Sequence, residues 1–141
     1  MTAATPSPRE APPRVDRVAL PSGYAIGRYE VLDVLGHGGF GITYRARDQQ
    51  LGREVAVKEY LPAALAVRQD GSSVLPRSTE AAADFDWGRD RFIEEGRTLA
   101  GLHEAPAIVK VFDFLETNGT AYIVMEVLRG QTLEDRVKTL G

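Results

Sequence analysis

Three features of this chain have the right chemistry to meet an anion: a run of glycines, one lysine and one glutamate. The run lies in "LGHGGFGITYRARD", where Gly36, Gly38, Gly39 and Gly41 fall within six positions. A glycine costs roughly 0.5–1 kcal/mol against alanine inside a regular element. Such a cluster therefore marks a place where something comes close to the backbone. Gly36, Gly38 and Gly41 spell G-x-G-x-x-G. In a dinucleotide-binding fold that pattern opens a helix. Here Ile42, Tyr44 and Ala46 alternate with Thr43, Arg45 and Arg47, and a period of two reads as a strand. A Walker-type loop needs Gly-Lys-Ser/Thr, and the chain contains no Gly-Lys pair. Two readings stay open: a strand-turn-strand flap whose amides lie over a polyphosphate, or an ordinary hairpin with a permissive turn.

The lysine is Lys58, in "VAVKEY". Alternation puts Ala56 and Lys58 on one face of a strand and Val55 and Val57 on the other. A lysine on a central strand needs an anionic partner, because an unpaired buried ammonium is costly; on an edge strand it would simply be solvated. The glutamate is Glu95, three residues after Phe92 and four before Leu99. That spacing places it within an apolar helical stripe, where a carboxylate should be neutralised or meet a cation. Lys58 is the natural partner. Glu94, one position away, reads as a solvated charge.

These residues need a sheet and a helix to hold them. Strands are expected over "YEVLDVLG", "FGITYRARD" and "REVAVKEY", then an irregular insert punctuated by Pro62, Asp70-Gly71 and Pro76, with a short hairpin through "AVRQDGSSVL". From Ala81 to His103 the period becomes helical, with Phe85, Phe92 and Leu99 every seven residues. "AIVKVFDFLE" and "TAYIVMEVL" follow as strands joined at Asn118-Gly119, a hairpin signal. "QTLEDRVKTLG" begins like a helix, with Thr132 as the candidate N-cap. The fold class is α+β: a five-stranded antiparallel sheet with one long packed helix. Residues 1–27, rich in proline, read as a disordered tail, since Pro6, Pro8, Pro12, Pro13 and Pro21 all fall there.

Composition narrows the partners. A net charge of −3 over 141 residues argues against nucleic acid, whose phosphates call for a basic surface. No apolar run is long enough to span a membrane, and "MTAATPSPRE" lacks the apolar core of a secretory signal. With no cysteine, disulfides and thiolate metal sites are excluded, and a cytoplasmic location is expected.

Taken in order, "LGHGGFGITYRA", "VAVK", "RFIEEGRTLAGL", "PAIVKVFDF" and "AYIVMEVLRG" resemble the N-terminal lobe of a bacterial eukaryotic-like Ser/Thr protein kinase. The resemblance covers about residues 28 to 140, which divides the chain into the tail at 1–27, the lobe at 28–128 and the start of a connection to a second lobe at 129–141. It implies ATP as the cofactor. Leu35 to Gly41, including His37, Gly39 and Phe40 at the tip, would form the flap over the phosphates. Lys58 would hold the α- and β-phosphates, and Glu95 would position it. Leu35, Thr43 and Ala56 would roof the adenine. Met125 would be the gatekeeper, and Glu126, Val127 and Leu128 the hinge. Thr43 departs from the usual valine, and the segment between Lys58 and Glu95 is longer than usual.

No H-R-D and no D-F-G occurs in the chain, so the catalytic base and the Mg²⁺ ligands of the family are not among these residues. The expected function is the ATP-binding lobe of a kinase that phosphorylates protein hydroxyls, with Mg²⁺ and the protein substrate engaged through the second lobe. The chain alone is expected to be inactive. A non-catalytic lobe serving as a binding or regulatory module is the alternative. The glycine loop is expected to be among the more mobile ordered segments.

Overall fold

The computed structural model describes residues 18–101 and 110–127. Eight strands and one long helix run in the order β1 (Ala25–Ile26), β2 (Tyr29–Gly38), β3 (Gly41–Asp48), β4 (Arg53–Tyr60), β5 (Ala66–Gln69), β6 (Ser73–Pro76), α1 (Thr79–Ala100), β7 (Val111–Thr117) and β8 (Thr120–Met125). The main sheet is antiparallel with strand order β1-β2-β3-β4-β8-β7, and β5-β6 form a separate hairpin. Local chemistry accounts for the turns. Asp70-Gly71 has φ values of 56° and 81°, and Asn118-Gly119 has 56° and 75°. Positive φ at both positions suits a two-residue hairpin turn, which Asn118-Gly119 makes between paired Thr117 and Thr120. Gln69 pairs with Ser73, so Asp70-Gly71 begins a three-residue loop.

Two expectations need correction. The main sheet has six strands, because a two-residue β1 adds to the five read from the sequence. The tail also ends earlier than residue 27: Leu20 and Ile26 are buried in the core. Gly23 N–H donates to Val31 O at 2.7 Å, and Leu20 N–H donates to the Tyr44 hydroxyl at 3.0 Å. The proline count masked the apolar content of "VALPSGYAI", which is enough to fasten this stretch across the sheet.

The sheet is covered on both faces. Tyr44, Ala46, Val55 and Val57 belong to the larger core cluster, which also takes in Leu20, Ile26, Val74 and Phe85. Ala56, Ile123 and Met125 form a second cluster, with Leu35, Phe92, Phe114 and Val127 against it. α1 begins at an N-cap, Ser78, whose hydroxyl accepts from Ala81 N–H at 3.1 Å. The helix therefore starts two residues ahead of the expected Ala81. Residues 102–109, including the expected end at His103, lie outside the described residues, as do Leu128 and the expected helix after Thr132. Among the described residues, no helix is long and apolar enough to cross a membrane.

Candidate nucleotide-binding site

The flap is the β2-β3 hairpin. Gly38 pairs with Gly41, and the strands continue in register through His37–Ile42 and Gly36–Thr43. None of the glycines from Gly36 to Gly41 has a positive φ. Gly41 has a different reason to be glycine: a Cβ there would collide with the backbone carbonyl of Glu59 on β4. The close approach is thus made partly by the neighbouring strand. At the tip, Phe40 is 78% exposed. Leu61 N–H donates to Phe40 O at 2.9 Å and Ala63 N–H to Gly39 O at 3.0 Å, so the segment after β4 ties the flap from one side.

Lys58 sits on β4, paired with Thr43 of β3 and Ile123 of β8. The strand is interior to the sheet, as expected. Lys58 and Glu95 line one cavity of about 620 Å³, together with Phe40, Tyr60, Trp87, Arg91 and Phe92. They do not form an ion pair: no contact between them falls within 4.0 Å, and Glu95 is exposed. This corrects the expectation that Glu95 lies inside the apolar stripe. The buried line of α1 runs through Phe85 and Gly96. At ~100° per residue, Glu95 falls on the flank with Asp84, Gly88 and Arg91, and that flank faces the cavity. Glu94 pairs with Arg97 at 3.6 Å, both side chains exposed, which fits its solvated reading.

Most of the residues expected around adenine come together. Ala56 pairs with Met125 across β4 and β8, and both pack in one apolar cluster with Leu35 and Val127. Thr43 is buried beside them on β3, directly across from Lys58. Where the hinge is expected, Glu126 N–H donates to Lys110 O at 2.8 Å, so that amide is already committed. Leu128 lies outside the described residues.

Sequence reasoning missed the cavity's other walls. Trp87 and Arg91 stand eight and four residues before Glu95, so helical spacing held that signal. It also missed a buried network behind Lys58. Glu59, fully buried, accepts from the Tyr44 and Tyr122 hydroxyls at 2.7 Å each, and from Arg68 Nη2 at 2.6 Å and Nη1 at 2.9 Å. Burial alone would lower the Arg68 pKa, but its bonds to Glu59 and the charge of that carboxylate outweigh burial and raise it. Arg68 comes from the β5-β6 hairpin, so the insert is clipped to the strand that carries Lys58.

A glycine flap, an inward lysine and a helical glutamate around one cleft define a protein-kinase type of lobe. The protein kinase domain family model matches residues 29–141, and the chain belongs to that family. Among curated proteins it is 36% identical over 109 residues to serine/threonine-protein kinase pkn2 of Myxococcus xanthus, covering 77% of this chain and 11% of that protein. It is 41% identical over 118 residues to serine/threonine-protein kinase PknB of Mycobacterium leprae, covering 81% of this chain and 16% of that protein. Among solved structures, the apo form of PpkA-294 superposes with a TM-score of 0.78 at 42% identity, over 84% of this chain and 42% of that one. The chain therefore spans a small part of the length of these curated relatives, and less than half of the PpkA-294 chain.

Proposed function

We propose that this chain is the ATP-binding lobe of a Ser/Thr protein kinase that phosphorylates protein hydroxyls together with a second lobe. The observation that carries the reading is the placement of Lys58 and Glu95 on one cavity beneath the flap tip. The residues fit a nucleotide. Leu35, Ala56, Met125 and Val127 offer an apolar surface for a flat ring, and the Lys58 ammonium has no carboxylate partner among the described residues. ATP supplies the transferable phosphoryl group. The flap lies over the phosphates, Lys58 holds them, and inward movement of α1 brings Glu95 to Lys58 to fix its position. The Mg²⁺ ligands and the group that orients the attacking hydroxyl belong to the second lobe in this family, as does the surface that meets the protein substrate. The lobe alone is inactive, because in-line transfer needs all of these parts at once.

The test compares the 141-residue chain with a parent protein that extends through H-R-D and D-F-G. Expected are weak ATP binding by the chain, lost in Lys58→Met, and phosphotransfer to a Ser/Thr substrate only by the extended protein. Turnover by the chain itself, abolished by Lys58→Met, would overturn the two-lobe requirement. Nucleotide binding without turnover in the extended protein would instead favour the regulatory module.

A further inference from the structure

A second cavity, of about 420 Å³, lies on the opposite face of the sheet from Lys58. Register fixes the side. Ile42 pairs with Glu59, and Thr43 pairs with Lys58; successive residues of a strand point to opposite faces. Ile42 lines this second cavity, so it opens on the Glu59 face. One wall is the back of the flap, through His37, Gly38 and Ile42. The other is the segment from Leu61 to Arg77, including Ala66 and Val67.

The lining has a definite chemical character. Its floor is apolar, with Ile42 and Ala66 buried. The ionisable side chains lining it are His37, Arg68 and Arg77, with no carboxylate among them. Arg68 is committed to Glu59 through both terminal nitrogens. Arg77 donates Nε–H to Ala63 O at 2.8 Å, and it makes no ion pair among the described residues. An apolar floor beside a guanidinium that pairs with no carboxylate among the described residues matches a ligand with an apolar body and one anionic head. The volume falls in the range of small-molecule sites, roughly 300–1,000 Å³.

We propose that this cavity is an effector site for a small amphipathic carboxylate, held between the flap and the 61–77 segment. The segment that walls it also holds the flap tip, through Leu61 N–H to Phe40 O and Ala63 N–H to Gly39 O. A ligand that touches both walls strengthens that tie, so occupancy stiffens the flap from the side away from the nucleotide. The proposal stands apart from the nucleotide reading, and its test uses no nucleotide.

The probe is 4-phenylbutyrate, with 4-phenylbutanol as its uncharged counterpart, added to the isotope-labelled chain and followed by amide NMR. Saturable shifts at His37, Gly38 and Val67 are expected, together with slower amide exchange at the flap tip. Loss of a charged hydrogen bond predicts about tenfold weaker binding in Arg77→Gln and for the alcohol. Val67 is 37% exposed, so Val67→Asp should keep the fold while its new carboxylate excludes the probe. Equal binding of acid and alcohol, shifts confined to the Lys58 face, or no saturation at millimolar probe would each overturn the site. Binding with unchanged flap exchange would overturn the effector role. Binding only after removal of residues 1–17 would assign the cavity to that segment and overturn the small-ligand site.

Discussion

Glu59 and Lys58 are neighbours in sequence and face opposite sides of the sheet, and their surroundings could hardly differ more. Lys58 faces an open cleft, whereas Glu59 is sealed beneath the β5-β6 hairpin with its carboxylate accepting four hydrogen bonds from Tyr44, Tyr122 and Arg68. Arg68 is 5% exposed at its side chain and Glu59 is 0% exposed. Removing one member of such a pair leaves an uncompensated buried charge, which costs about 3–5 kcal/mol. Arg68→Met should therefore lower stability by that order in urea denaturation. The double variant Arg68→Met/Glu59→Gln should recover part of the loss, since the buried charge goes with its partner. If Arg68→Met unfolded at the same urea concentration as the parent, the network would be incidental to stability. The exposed pair Arg97–Glu94 provides the contrast: Glu94→Ala should change stability by less than about 0.5 kcal/mol.

At the scale of elements, the spacing between α1 and the sheet is set by Gly96. A Cβ there would sit 2.6 Å from Phe114 Cε1 and 2.7 Å from Ile123 Cδ1, closer than side chains normally approach. Gly96→Ala gains up to about 1 kcal/mol of helix propensity but must displace the ends of the Phe114 and Ile123 side chains or move α1 outward, at about 1–3 kcal/mol for overpacking. A net loss of stability is expected, measured by thermal or urea unfolding. Because Glu95 is the adjacent residue, nucleotide affinity should also fall. A more stable Gly96→Ala protein would show that the helix docks more loosely than this packing indicates.

The same elements show what could be read from the sequence. The period of two in "GITYRARD" and "REVAVKEY" and the Asp-Gly and Asn-Gly turns gave the strands and both hairpins, because these signals are local. The helix was legible from Phe85 to Leu99, and its start was missed only because Ser78 caps one turn earlier than the apolar pattern begins. Glu95 reads from the sequence as the ion-pair partner of Lys58 from inside the buried stripe. It lines the same cavity as Lys58 but lies on the exposed flank and makes no ion pair with it. Neighbours three and four residues away bracket a position without fixing which side of the stripe it takes. The Glu59–Arg68 network was not legible at all. It joins an insert to a strand through side chains, and no periodicity encodes a long-range polar pairing. The packing of Val18 to Ile26 was lost behind the prolines for a similar reason.

At the scale of the whole molecule, three buried tyrosines link distant strands and make stability depend on alkaline pH. Tyr29 on β2 donates to Asp113 on β7 at 2.8 Å. Tyr44 on β3 and Tyr122 on β8 both donate to Glu59 on β4. Burial, followed by the hydrogen bond and charge of Asp113, pushes the Tyr29 phenol up to about 12 from its ordinary value of 10.0. Burial and then the Glu59 charge raise Tyr44 and Tyr122 as well. In each case the unfolded chain ionises first as pH rises, so the folded state holds more protons and stability falls. The contribution is fully present below about pH 10 and is lost as pH climbs through about 12 for Tyr29, with Tyr44 and Tyr122 extending the loss further. Tyr29 alone accounts for roughly 2–3 kcal/mol of this dependence. Urea midpoints measured on either side of pH 10 should therefore drop steeply with rising pH. Tyr29→Phe should begin less stable at neutral pH, having lost a hydrogen bond, yet show a shallower alkaline decline because one titrating group is gone. A decline of unchanged steepness in Tyr29→Phe would mean that the tyrosine ionises as freely in the folded protein as in the unfolded chain, and that β2 and β7 are held together by packing rather than by this bond.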